Sequence, residues 1–291
     1  MHGLQDLHGA PSRGRFWPID QDGCIQNDAS AELIDPLFCH AIAQAVDAYR
    51  RNLKDDLHSI YVTGSVARGR AVAGLSNLDM AAILNPGVTP GPEHQGWLDI
   101  GGCAAGAGQA AAREITLSLY AWTDVFPGTQ RFSRPAFILG TGAVCVCGPD
   151  VEPRTPRLPL CAAIANDDVI AIEDTLSEAR EALTADPSAA PTRAQCRHVM
   201  RAILHAAFAL VMLEESEHTR DLDLACDLFL LHHPEHRGDL SRAFHLAMEP
   251  SGDAETVLAL VDRVRGWLLP KVNHWLDRYN PERQAALPVP A

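Results

Sequence analysis

The run IYVTGSVARGRAVAGLSNLDMAAIL, Ile60 to Leu84, decides the fold. It opens with a short, β-branched apolar segment ending in Gly64-Ser65, which reads as a buried strand. A small polar turn carrying Arg68 follows. From Asn77 to Leu84 the pattern alternates. Leu78, Met80, Ala82 and Leu84 share one face, and Asn77, Asp79 and Ala81 the other. Glycine at a strand end lets backbone approach a ligand closely, and the N–H and hydroxyl of the adjoining Ser65 suit phosphate oxygens. Acidic residues two apart on a strand project from the same face, where two carboxylates can hold a divalent cation against a triphosphate. Only Asp79 is acidic here; Asn77 stands two residues before it.

Outward from this stretch, the composition sets limits. The chain has 291 residues, 47% of them apolar, enough for one large domain or two ordinary ones. The formal charge of -13 lacks the basic footprint of a nucleic-acid binder, so a long polynucleotide partner is not expected, whereas a cationic small molecule is compatible. No uninterrupted apolar run reaches the ~18 residues of a membrane span. The N-terminus lacks an apolar signal core, which makes a cytoplasmic location the expectation. Eight cysteines without a C-x-x-C pair read as buried reduced thiols. Cys145 and Cys147, two apart on an expected strand, should share a face.

Residues 1–27 show no period and read as a loosely held arm. An α/β domain is expected over 28–152, a proline-rich linker over 153–160, and a helical domain over 161–291. Asp35 with Pro36 should cap the first helix. REITLSLYAW is a further strand, with Glu114, Thr116 and Ser118 on one face. AFILGTGAVCVCG reads as another apolar segment, and the Gly/Ala-rich DIGGCAAGAGQAAA as a connection or weak helix. In the second half, helices are expected over 162–184 and from Thr192, where Gln195 three residues on makes a capping box. Three more follow, the last with Pro270 as a kink. The expected class is α+β: a small mixed β-sheet domain followed by an α-helical bundle.

The central stretch resembles the polymerase-β-like nucleotidyltransferase superfamily, whose members carry Gly-Ser, a spacer of about a dozen residues, then Asp-x-Asp. Many read G-S-x-A-R-G followed by S-D-x-D-L. This chain has Gly64-Ser65-Val66-Ala67-Arg68-Gly69, then Ser76-Asn77-Leu78-Asp79-Met80. In aminoglycoside-type members a third carboxylate lies in a sequence like L-E-V-T, and REITLSLYAW puts Glu114 in that place; the TDVFPG after it also resembles their continuation. The resemblance implies a nucleotide-binding transferase that moves a nucleoside monophosphate from a triphosphate, ATP by default, to a hydroxyl of a small molecule. It implies phosphate binding by Gly64, Ser65 and Arg68, Mg²⁺ at Asp79, Asn77 and Glu114, and catalysis by Glu114 and Asp79. The departure is Asn77. With it the site holds formal charge -2 from Asp79 and Glu114 rather than -3, which weakens the hold on two divalent ions close together. A fold recruited to other chemistry, and a non-catalytic nucleotide-binding or scaffold protein, are the alternative readings.

Other signals weigh less. Arg68 either reaches a phosphate or makes a salt bridge at a helix start. Trp122 either stacks on a base or sugar or is a buried aromatic. His232, His233 and His236 suggest a metal site, but Pro234 breaks the helical spacing it would want. Glu214, Glu215, Asp221, Asp223 and Asp227 either line an acceptor site or form a solvated face. Arg201 and His205 are too close together for the R-x4-to-6-H ribonuclease motif of helical toxin domains.

Overall fold

The computed structural model describes residues 14–91, 94, 98 and 111–290. Residues 1–13 of the expected arm and the Gly/Ala-rich stretch over 99–110 lie outside the described residues. The chain divides into two compact units, one built on Trp17–Pro159 and the other on residues 14–16 with Leu160–Val289.

The first unit is a four-stranded mixed sheet in the order β3-β2-β1-β4. The strands are β1 (Leu57–Thr63), β2 (Leu78–Leu84), β3 (Ile115–Tyr120) and β4 (Ala143–Cys147). β2 runs antiparallel to β1 and parallel to β3, and β4 pairs antiparallel with β1. One face carries Ile60, Val62, Leu78, Met80, Ala82, Leu84 and Ile115, packed on α1 (Cys39–Leu53) through Ala41, Ile42, Ala45, Tyr49 and Leu53. That helical stripe is the i, i+4, i+7/8 spacing of an amphipathic helix. Asp35 caps the 3-10 turn Pro36–Phe38 rather than α1 itself: its carboxylate accepts the Leu37 N–H and the turn runs on into α1, whose own start at Phe38 has no side-chain cap. The Tyr49 hydroxyl donates to the Ser118 carbonyl at 2.8 Å, with the Met80 carbonyl 3.1 Å away, and ties α1 to β2 and β3. Burial raises that phenol's pKa well above its usual range.

The opposite face, with Tyr61, Ile83, Ala143 and Cys145, packs against α3 (Trp122–Val125) and α4 (Arg134–Thr141). Of the apolar segment AFILGTGAVCVCG, the first part is thus helix and only the end is strand. Ser133 caps α4 and Pro135 sits in its first turn, where its missing N–H costs nothing. Cys145 and Cys147 do not share a face. The β1–β4 register slips between Tyr61–Cys145 and Ile60–Cys147, a bulge that turns Cys147 to the other side. Residues 17–27, expected in the loose arm, are held: Trp17 and Ile25 are buried, Ile25 donates to the Leu158 carbonyl, and Arg157 pairs with Asp20 and Asp22.

The second unit is helical. It contains α5 (Ala162–Val169), α6 (Ile172–Ala185), α7 (Ala189–Glu215), α8 (Leu222–His232), α9 (Arg237–Met248) and α10 (Ala254–Tyr279). The helix expected over 162–184 breaks at Ile170-Ala171, so that Val169 and Ile172 on either side both bury. α7 begins before Thr192, because Pro191 is tolerated in its first turn; Thr192 is buried inside the helix rather than capping it. α7 has the length and composition of a membrane span, yet 67% of its most apolar window is buried inside the protein. α10 is continuous through Pro270. Cys196 and Cys226 are fully buried, as expected of structural thiols, whereas Cys39 is exposed.

A buried amide network closes this unit. Asn280 Nδ2 donates to Asn166 Oδ1 and to the Gln284 carbonyl, both at 2.8 Å, and Asn280 Oδ1 accepts the Gln284 N–H at 2.9 Å. Asn280→Ala leaves Asn166 and the Gln284 groups without these bonds in the interior. The expected loss is about 1–3 kcal/mol, read as a lower urea midpoint at unchanged m value; an unchanged midpoint counts against this latch.

Candidate active site

The polar end of the sheet is set by register. Thr63 pairs with Asp79 across β1–β2, and Asp79 with Thr116 across β2–β3. The β2–β3 pairing extends one step further, since Leu78 N–H donates to the Glu114 carbonyl and Arg113 N–H to the Ser76 carbonyl. Asn77, Asp79, Glu114 and Thr116 therefore share the face that also carries Tyr61, Ala81 and Tyr120. Asp79 and Glu114 are diagonal neighbours on adjacent strands, their Cβ atoms about 8 Å apart from a strand spacing of ~4.8 Å and a rise of ~3.3 Å. Glu114 and Thr116 are exposed; Ser65, Asn77 and Asp79 are half-buried. Asn77 Nδ2 lies 3.5 Å from Glu114 Oε2, at the long end of a hydrogen bond. Burial raises the Tyr120 phenol's pKa, and the Asp79 charge adds to the effect.

Gly64 follows β1 directly and opens α2 (Gly64–Ala67) with φ +67. A Cβ at this position would lie 3.0 Å from Asp79 Oδ2. The missing side chain is thus what lets the Asp79 carboxylate lie against the turn. Ser65 sits beside it, half-buried.

Arg68 is the correction. Of the two expectations for it, the structure has the ion pair: its side chain is 3% exposed and Nε bonds Asp28 Oδ2 at 2.7 Å. The indole of Trp17 lies under the guanidinium at 5.0 Å. Arg68 is a fastener for the Gly64–Gly69 turn and does not reach toward a phosphate. Its partner Asp28 carries no sequence signal, being forty residues away in a stretch without periodicity. Trp122 is also displaced from the site. It follows β3, whose six residues span ~20 Å, so it lies at the opposite end of the sheet from Glu114. There it is half-buried between His58, Phe126 and Arg154.

In the helical unit the remaining polar signals have structural partners. His232 bonds Glu215, His233 contacts Glu235 and Lys271, and the His236 ring stacks on Trp267 at 3.9 Å. Burial lowers the pKa of His233 and His236. Asp221 and Asp223 accept the N–H groups of Arg15 and Gly14, and Asp227 is buried. These carboxylates are not a solvated face. Among the described residues no group of three or more His, Cys, Asp or Glu is gathered for a metal ion. The sheet end supplies two carboxylates and one amide, an all-oxygen set that suits a single hard cation.

No family model matches the chain, and no curated protein matches it. Among solved structures it is similar to the spectinomycin adenyltransferase of Enterococcus faecialis, determined with ATP and spectinomycin. That likeness covers 79% of this chain and 98% of the other, at 14% identity and a TM-score of 0.48. It is too distant to assign a family.

Three variants test this geometry. Gly64→Ala combines a left-handed backbone, costing about 1–2 kcal/mol for a non-glycine residue, with a Cβ pressed on Asp79. It should lower the melting temperature by a few degrees and move the Asp79 carboxylate, read from its side-chain NMR shift. Arg68→Ala strands Asp28 in the interior. A loss of about 3–5 kcal/mol is expected, against a much smaller one for Arg68→Met with Asp28→Leu; equal losses for the two would deny the ion pair its role.

Proposed function

We propose that this chain is a nucleotidyltransferase that moves a nucleoside monophosphate from a nucleoside triphosphate, ATP by default, to a hydroxyl of a small molecule. The observation that carries the reading is the register of β1, β2 and β3, which brings Gly64, Ser65, Asp79 and Glu114 to one end of one face. The Gly-Ser, Asn-x-Asp and Arg-Glu-Ile-Thr motifs fall there in the order the superfamily uses. The net charge of -13 favours a neutral or cationic acceptor over an anionic one.

In this reading the Ser65 hydroxyl and the turn's N–H groups hold phosphate oxygens. Asp79, Asn77 and Glu114 would be the oxygen donors for Mg²⁺, and Gly64, whose Cβ would stand 3.0 Å from Asp79 Oδ2, lets that carboxylate lie against the turn. When bound, the ion neutralises charge on the phosphate oxygens. Glu114, exposed at the sheet edge, takes the proton of the acceptor hydroxyl. The acceptor oxygen forms a bond to the α-phosphorus, the bond from that phosphorus to the bridging oxygen breaks, and pyrophosphate leaves with the electron pair.

Incubation with each of the four nucleoside triphosphates, Mg²⁺ and a panel of hydroxyl compounds should yield an acceptor heavier by one nucleotide in mass spectrometry, with pyrophosphate released. Glu114→Gln and Asp79→Asn should each lower that rate by ~100-fold or more. Nucleotide-dependent thermal stabilisation without transfer to any acceptor would favour the non-catalytic nucleotide-binding reading instead.

A further inference from the structure

We propose that the corner between α8 and α9 is an acid-sensitive clasp on α10, in which His233 accepts a hydrogen bond from Lys271 at neutral pH and exchanges it for one to Glu235 on taking a proton. The corner is the 3-10 turn Pro234–His236, entered through His233. Lys271 Nζ, on α10, stands 3.3 Å from His233 Nδ1. An ammonium has three donors and no acceptor, so this contact needs Nδ1 without a proton and the ring's N–H at Nε2. Glu235 Oε1 lies 3.4 Å from the same Nδ1 and 3.7 Å from Lys271 Nζ. A second proton on the ring goes to Nδ1. It turns the acceptor into a charged donor, which suits Glu235 and opposes Lys271. A bond between α10 and the corner gives way to one within the corner.

The surrounding charges sharpen the exchange. His236 Nε2 is 3.4 Å from the same Glu235 oxygen, and its ring stacks on Trp267 of α10, whose indole N–H donates to Asp239 of α9 at 3.2 Å. Asp239 also pairs with Arg263 of α10, and His232 faces Glu214 and Glu215 of α7. Glu235 is thus shared by His233, His236 and Lys271, and three cations meet around it once both imidazoles are charged. Burial holds both imidazoles below their ordinary range, and the Lys271 charge adds to it. A base harder to protonate when folded contributes stability that is complete above its unfolded value of about 6.5 and lost as pH falls through its folded value. The clasp is closed at neutral pH and opens in acid.

Nitrogen-15 NMR of the full chain, labelled at histidine and titrated between about pH 5 and 8, reads the tautomer and the midpoint together; the signal missing from His233→Gln assigns the residue. At the alkaline end His233 should show an unprotonated Nδ1 and a protonated Nε2, and its midpoint should lie below the ordinary imidazole value. Lys271→Met, or Lys271→Gln should that variant fail to fold, should move the midpoint up. A proton on Nδ1 at the alkaline end overturns the inference, and so does a midpoint that loss of the Lys271 charge leaves in place. Urea unfolding over the same range supplies the second arm. His233→Gln keeps a neutral acceptor for Lys271 at every pH, so its urea midpoint should fall less than that of the wild type on acidification. Equal falls would show that His233 carries no proton-linked stability, which also overturns the inference.

Discussion

Everything at the site depends on the register of β2 between its two neighbours. Leu78, Met80, Ala82 and Leu84 are each at most 1% exposed on the face toward α1. A slip of one residue would turn all four away from α1 and bring Asn77, Asp79 and Ala81 against it. Burying one Leu or Met side chain is worth about 1.5–3 kcal/mol, and the slipped pairing strips α1 of these partners and sets the Asp79 carboxylate against its apolar stripe. The hydrophobic face of β2 therefore aims its polar face. Tyr49 adds to this from the far side of the sheet, since its hydroxyl bonds a carbonyl of β3 beside one of β2.

The turn between β1 and β2 is governed by a different kind of contact. Arg68 and Asp28 are both almost wholly buried, with Trp17 over the guanidinium. Removing two charges from water costs several kcal/mol per ion, which their attraction recovers only in good geometry. The net worth of such a pair to stability is small; its worth to specificity is that either charge alone is strongly penalised. The pair thus admits one placement of the Gly64–Gly69 turn and binds it to the segment before α1, which is why Trp17 and Asp28 belong to the sheet unit.

Charge at the sheet end follows the same logic with the opposite outcome. Two unit charges 4 Å apart repel by about 4 kcal/mol at the effective dielectric of a protein surface. Asp79 avoids this by standing diagonal to Glu114, and Asn77, which stands directly beside it, is neutral.

The sequence alone determined the strands at Ile60, Asn77 and Ile115, the faces they present, and the helical second half. These are local: alternation and helical spacing report directly which side of an element is buried. The positions of Asp79, Glu114 and Gly64 at strand ends were legible for the same reason, each being tied to a strand with an unambiguous pattern. What only the tertiary structure decided were contacts between residues far apart in the chain. Arg68 was one of several arginines until Asp28 and Trp17 closed over it. Trp122 stood close to Glu114 in sequence, but the length of β3 carries it to the other end of the sheet. Cys145 and Cys147 were parted by a bulge that no alternation announces, and Asp221 and Asp223 were engaged by backbone amides of residues some two hundred positions earlier. Periodicity encodes which face a side chain takes; the partner that meets it there is chosen by packing, which depends on the whole chain at once.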